Sequence, residues 1–212
     1  NFTEAELPYV IFRSLEPVNP YFYTLNTGGD TEKFPGRNWK NWKIYGANFE
    51  GDGLAKLESE DWVLIDEKTD VGQNRLKPTN NTASYFGFSS ETTEPYTYYK
   101  VVVEKAYSGD AHQMQELHFG TPEEFDVIKE NYKMEANEFN TDVLCEQAIL
   151  NKYFEAVDEI DNIVNMEVLF RTYDEILNLQ KSIAASAQSY QNYVDAVEAL
   201  RTFLEENSNV QG

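Results

Sequence analysis

The sequence predicts an antiparallel β-sandwich followed by an all-α helical bundle, and three observations predict it. Up to about residue 120 the apolar residues fall in short runs rich in β-branched and aromatic side chains, cut by Gly, Pro, Asn and Asp. No helical pattern long enough for a parallel crossover lies between those runs, so the sheets are expected to be antiparallel. From residue 121 the apolar spacing changes to the three-, four- and seven-residue intervals of amphipathic helices.

In chain order, strands are predicted over 9–13, 21–25, 42–47, 62–66, 85–88, 96–104 and 114–119. By alternation along these strands Trp42, Trp62 and Tyr99 face the core. Thr121-Pro122-Glu123-Glu124 then offers a capping hydroxyl, a proline at the first helical position and a glutamate at the third, which opens a helix over 122–133. Three apolar stripes follow. Phe139, Val143, Leu150, Phe154, Val157 and Ile160 form the first, and Met166, Leu169, Tyr173, Ile176 and Ile183 the second. Tyr190, Tyr193, Val197, Leu200 and Leu204 form the third. Polar breaks at Asp161-Asn162 and at 186–189 read as turns, giving a three-helix up-down bundle. Those faces lack the inward carboxylates and histidines of a cofactor box, so the bundle is assigned no chemistry.

A chain of 212 residues exceeds the usual single-domain size, which favours two units, 1–120 and 121–212. The formal charge of −20 repels a phosphate backbone or an anionic bilayer, so no nucleic acid is expected as a partner. The first unit holds 11 basic and 18 acidic side chains, net −7, and the second carries the remaining −13, so surface recognition is expected on the first. One cysteine, Cys145, excludes an intrachain disulfide. No apolar run approaches a membrane span, so no membrane insertion is expected. The opening Asn1-Phe2-Thr3-Glu4 is neither an initiator nor a signal peptide and reads as a processed piece.

Three segments carry a family resemblance. Tyr9-Val10-Ile11-Phe12 and Tyr21-Phe22-Tyr23-Thr24-Leu25 lead into a polar loop with Pro35-Gly36-Arg37-Asn38. Trp42-Lys43-Ile44-Tyr45-Gly46-Ala47-Asn48 and, after an acidic insertion, Asp61-Trp62-Val63-Leu64-Ile65-Asp66 form the most specific pair. Tyr96-Thr97-Tyr98-Tyr99-Lys100 followed by Gln113-Met114-Gln115-Glu116-Leu117 completes the pattern. Together they resemble the galactose-binding-like jelly roll of discoidin domains, coagulation factor C-type domains and bacterial carbohydrate-binding modules. That resemblance implies a jelly-roll β-sandwich with ligands on loops at one end, and it leaves room for a structural calcium ion but no other cofactor. Nothing upstream of Tyr9 matches the family's opening Asp-Gly-Asp and Thr-x-Trp elements. The helices faintly resemble three-helix modules appended to bacterial surface glycosidases and adhesins, as in Val194-Asp195-Ala196-Val197-Glu198-Ala199-Leu200.

A sugar presents an apolar C–H face and directional hydroxyls, so a rigid aromatic beside Arg and Asn donors suits it. The loop before Trp42 supplies Arg37, Asn38, Trp39 and Asn41 together, with Trp39 either a stacking platform or a plug beneath the sandwich end. Asn74 and Arg75 in the next loop, and His112 before the closing strand, are candidates for the same rim. Asp52, Glu60 and Asp61 could hold calcium through hard oxygens, though their spacing is no EF-hand. Two histidines and one cysteine cannot build a zinc site, and there is neither a Gly-x-Ser-x-Gly elbow nor a phosphate loop, so no catalytic or metal residue is assigned and no enzyme is expected. The expected function is a non-catalytic carbohydrate-binding or cell-surface recognition module, secreted or at a bacterial cell surface, extracellular or periplasmic. Its partner would be a neutral glycan or glycoprotein, with other modules of the same polypeptide beside it. The alternative is a protein–protein or structural module of a larger surface protein or glycoside hydrolase.

Overall fold

The computed structural model describes residues 7–49, 61–89, 94–109 and 111–208. Two antiparallel sheets are followed by three helices, and the chain divides into two compact units, Asn1–Phe125 and Asp126–Gly212. The strands are β1 (Tyr9–Val18), β2 (Phe22–Asn26), β3 (Trp39–Ala47), β4 (Val63–Lys68), β5 (Ala83–Gly87), β6 (Tyr96–Ala106) and β7 (Glu116–Gly120). One sheet has the order β1-β6-β3-β4 and the other β5-β2-β7.

The core of the first unit lies between the inner faces of these sheets. It gathers Tyr23, Leu25, Trp42, Ile44, Phe86, Tyr99, Val101 and Val103, with Phe12 and Phe119 packed against it. Alternation makes this layer, since Ile44 and Val101 are inward while their neighbours Lys43 and Lys100 face water. Gly46, in the segment that carries the family resemblance, lies under the Tyr96 ring, where a Cβ would stand 2.3 Å from it, so no larger residue fits there.

A polar chain crosses this apolar layer. Trp42 Nε1–H donates to Tyr23 Oη at 2.9 Å, and Tyr23 O–H donates to Asp66 Oδ2 at 2.6 Å. The other oxygen, Oδ1, accepts from Lys68 Nζ and from the Ser89 backbone N–H, each at 2.8 Å, and from Ser89 Oγ. A fully buried carboxylate is tolerated here because four donors, one of them a cation, surround it. Trp62 departs from expectation. It precedes β4 instead of belonging to it, and it lies half-buried against Phe49 with Lys100 over its ring.

The helices are α1 (Pro122–Asn137), α2 (Gln147–Glu159) and α3 (Met166–Asn207), with a 3-10 turn at Ile160–Asn162. The predicted start of α1 forms a reciprocal cap. Thr121 Oγ1 accepts from Glu124 N–H at 3.3 Å, and Glu124 Oε2 accepts from Thr121 N–H at 2.8 Å. In the second unit Tyr132 stacks on Tyr173 at 3.9 Å between centroids, and Tyr153 Oη donates to the Ala136 carbonyl. These contacts tie all three helices.

The expected up-down bundle needs correcting at one point. The second and third apolar stripes lie on a single 42-residue helix, α3, with no turn at 186–189. Ser182 and Ser189 donate their hydroxyls to the carbonyls four residues back, at Asn178 and Ala185, which satisfies these polar groups without a turn. The alanines at 184, 185 and 187 favour the same outcome.

Candidate functional site

Three loops meet at one end of the sandwich, where β2 ends, β3 begins and β6 ends. Loop 27–38 is pinned to loop 107–115 by Ser108 N–H to Gly36 O, Tyr107 N–H to Asn38 O and Gln113 N–H to Arg37 O. It is pinned to loop 69–82 by the Thr27 hydroxyl and backbone, which exchange hydrogen bonds with Thr79 and Thr82. Backbone and side-chain bonds of this kind hold a loop cluster at fixed geometry without a regular element.

The predicted residues take different positions in this cluster. Asn38 is fully buried beneath the rim, with Nδ2 donating to Lys77 O at 3.1 Å and to Leu76 O at 3.5 Å. Asn41 is committed to the scaffold, since its Oδ1 accepts from the Asp70 backbone N–H at 3.1 Å. Arg75 lies with its guanidinium 4.5 Å from the Phe86 ring centre, and Asn74 beside it is exposed. Arg37 remains at the rim. Its guanidinium covers the Phe34 ring at 3.9 Å and reaches Asp30 and Gln113, each at 3.5 Å.

Of the two roles open to Trp39, stacking platform or plug, the structure shows the plug, because the residue is only 6% exposed and cannot serve as an open platform. It packs on Trp42 at 6.0 Å and on His112 at 6.3 Å between ring centres. The cause is local. Trp39 and Trp42 are three residues apart and should face opposite sides of a regular strand, but β3 shifts register against β6 around Asn41. The bulge restores the phase, and both indoles turn inward. Burial against Trp39 also pushes the His112 imidazole below its ordinary pKa of 6.5.

Trp39 nevertheless forms a wall. A cavity of about 270 Å³ is lined by Val10, Phe12, Trp39, Met114, Gln115, Glu116 and Leu117. Among the described residues, Trp39 Nε1 is buried and has no hydrogen-bond partner, and the same holds for Asn38 Oδ1. Such a donor is expensive to leave unmade and is satisfied by any acceptor that reaches it. Gln115 and Glu116 add polar groups beside the aromatic and aliphatic lining.

Sequence reasoning did not single out Phe34, Gln113 or Glu116. Gln113 donates to Thr31 Oγ1 at 3.1 Å and accepts from Arg37, so it fastens the rim. Its signal was present in the Gln-x-x-Glu segment, read there only as part of a closing strand. The candidate calcium carboxylates Asp52 and Glu60, and everything before Leu7, lie outside the described residues. Among the described residues no group of three or more His, Cys, Asp or Glu side chains gathers as a metal site.

No family model matches this chain, and no curated protein matches it. Among solved structures it is similar to a SusE-like protein, at 13% identity and a TM-score of 0.42. That likeness covers 53% of this chain and 46% of the other, less than half of that protein's length.

Proposed function

We propose that the β-sandwich unit is a non-catalytic recognition module that binds a neutral glycan, with one sugar unit in the cavity walled by Trp39. The observation that carries this reading is the indole itself. Trp39 lines a cavity of about 270 Å³ together with Gln115 and Glu116, and its buried N–H lacks a partner among the described residues. An aromatic and aliphatic wall suits the C–H face of a pyranose, while an indole N–H, an amide and a carboxylate suit its hydroxyls. Arg37, Asn74 and His112 on the rim would contact further sugar units. The jelly-roll resemblance of the sheet segments and a location outside the cell, at a surface or in the periplasm, belong to the same reading. No helix of the described residues is long and apolar enough to cross a membrane.

The test is titration calorimetry with neutral mono- and oligosaccharides chosen from a glycan array. Trp39→Phe keeps a ring in the core and removes the N–H, and it should weaken binding about tenfold. Gln115→Ala should weaken it by a similar factor. If no glycan binds, or if both variants bind as the parent does, the reading fails.

A second reading, recognition of another protein, is favoured by the outer face of the four-stranded sheet. Ile11, Lys100, Tyr45 and Leu64 lie in register across it, next to Tyr9, which is 59% exposed under the Lys100 ammonium. Tyr9→Asp with Leu64→Glu would abolish a protein contact there and leave glycan binding unchanged.

A further inference from the structure

The distal half of α3 carries an apolar seam that no described residue of the second unit covers. Positions 169, 176, 183, 190, 197 and 204 recur every seven residues, with 179, 186, 193 and 200 between them in the three-then-four spacing of a coiled-coil seam. The first part is buried, since Leu169, Ile176 and Ile183 are fully shielded where α2 lies against α3. Cover stops at Ser186, whose Oγ accepts from Glu146 N–H at 2.9 Å, the residue capping the start of α2. Beyond it the seam continues without a break. Tyr190, Tyr193, Val197, Leu200, Phe203 and Leu204 are 39% to 66% exposed.

We infer that this stretch is a self-association surface, on which a second copy of the chain packs its own α3 antiparallel to the first. Charge placement selects that occupant. Between 186 and 207 the acids Asp195, Glu198, Glu205 and Glu206 all lie on the side of the helix away from the seam. The positions flanking the seam are Ala187, Ser189, Val194, Ala196, Arg201 and Phe203, so no carboxylate borders it. Two copies of a protein with net charge −20 can therefore meet there without facing rows of like charge, whereas a partner bearing complementary flanking charges would find only Arg201 to pair with. An antiparallel pairing centred near residue 198 sets Val197 of one copy against Leu200 of the other and Tyr193 against Leu204, and it opposes the two helix dipoles.

Size agrees as well. The stretch from 184 to 207 is about 36 Å long, and six side chains at roughly 100 Å² each would remove about 1,200 Å² from water over both copies, the lower bound of a specific interface. That predicts a reversible dimer.

Sedimentation equilibrium of the full chain over a range of concentrations should give a mass rising from 24.5 kDa toward twice that value. Raising the salt concentration should strengthen association, because the net charge opposes it and the seam does not depend on charge. Leu200→Glu and Tyr193→Glu change exposed positions of the single chain, so circular dichroism should stay unchanged while the dimer weakens about a hundredfold or more. A parent protein that stays at single-chain mass at every concentration overturns the inference. So does a dimer that persists unchanged in both variants.

Discussion

At the scale of single residues, the buried chain from Trp42 through Tyr23 to Asp66 is the point where one atom matters most. Tyr23→Phe removes one hydroxyl and leaves both the Trp42 N–H and one Asp66 oxygen short of a partner in the core. The expected loss is about 1 to 3 kcal/mol, read from urea unfolding as a lower midpoint at unchanged slope. His112 gives a second prediction, with its sign set by burial. Because the folded imidazole titrates below the ordinary 6.5, the unfolded chain takes up the proton first as pH falls. That contribution to stability is complete above the ordinary value and is lost as pH falls through the lowered one. Between about pH 7 and about pH 5 the urea midpoint should decline, and His112→Gln should flatten that part of the curve. An unchanged slope in the variant would mean that the ring contact with Trp39 does not exclude water.

At the scale of elements, the start of α1 behaves as its four residues foretell. Glu124 is held below the ordinary carboxylate range, chiefly by the Thr121 backbone N–H it accepts and also by His118 beside it. Its contribution is present above the ordinary carboxylate pKa and is lost as pH falls through the depressed one. Thr121→Ala should cost about 1 kcal/mol of stability. The opposite case is α3, where residues 186–189 have the polarity of a turn but the backbone of a helix. Amide exchange there should be no faster than in the turns on either side, whereas loop-like exchange would restore the two separate helices that the pattern suggested. Strand β3 shows a third outcome. It begins at Trp39, three residues before the predicted start, and its side-chain phase departs from alternation around Asn41, because a bulge leaves no compositional mark.

At the scale of the whole molecule, the two proposed surfaces lie in different units, and they should respond independently to change. Leu200→Glu should leave a glycan titration unaltered, and Trp39→Phe should leave the sedimentation mass unaltered. The positions of most strands, the antiparallel pairing and the switch from sandwich to helices could be read from the chain, because they depend on local spacing of apolar residues and on turn chemistry. The loops between those strands could be read too, as polar intervals, except that Trp39 and Asn41 belong to β3. Three things could not be read this way. Whether Trp39 faces water or the core depends on a register shift against β6, how Arg37 is held depends on Phe34 and Gln113 brought in from elsewhere, and whether α3 runs on through 186–189 is left open by serines that serve a turn as well as a helix. Sequence by itself determined which segments become strands and helices, because that choice is made by neighbours along the chain. Tertiary structure alone decided which of their side chains are walls, floors or open surfaces, because burial is settled by residues distant in sequence.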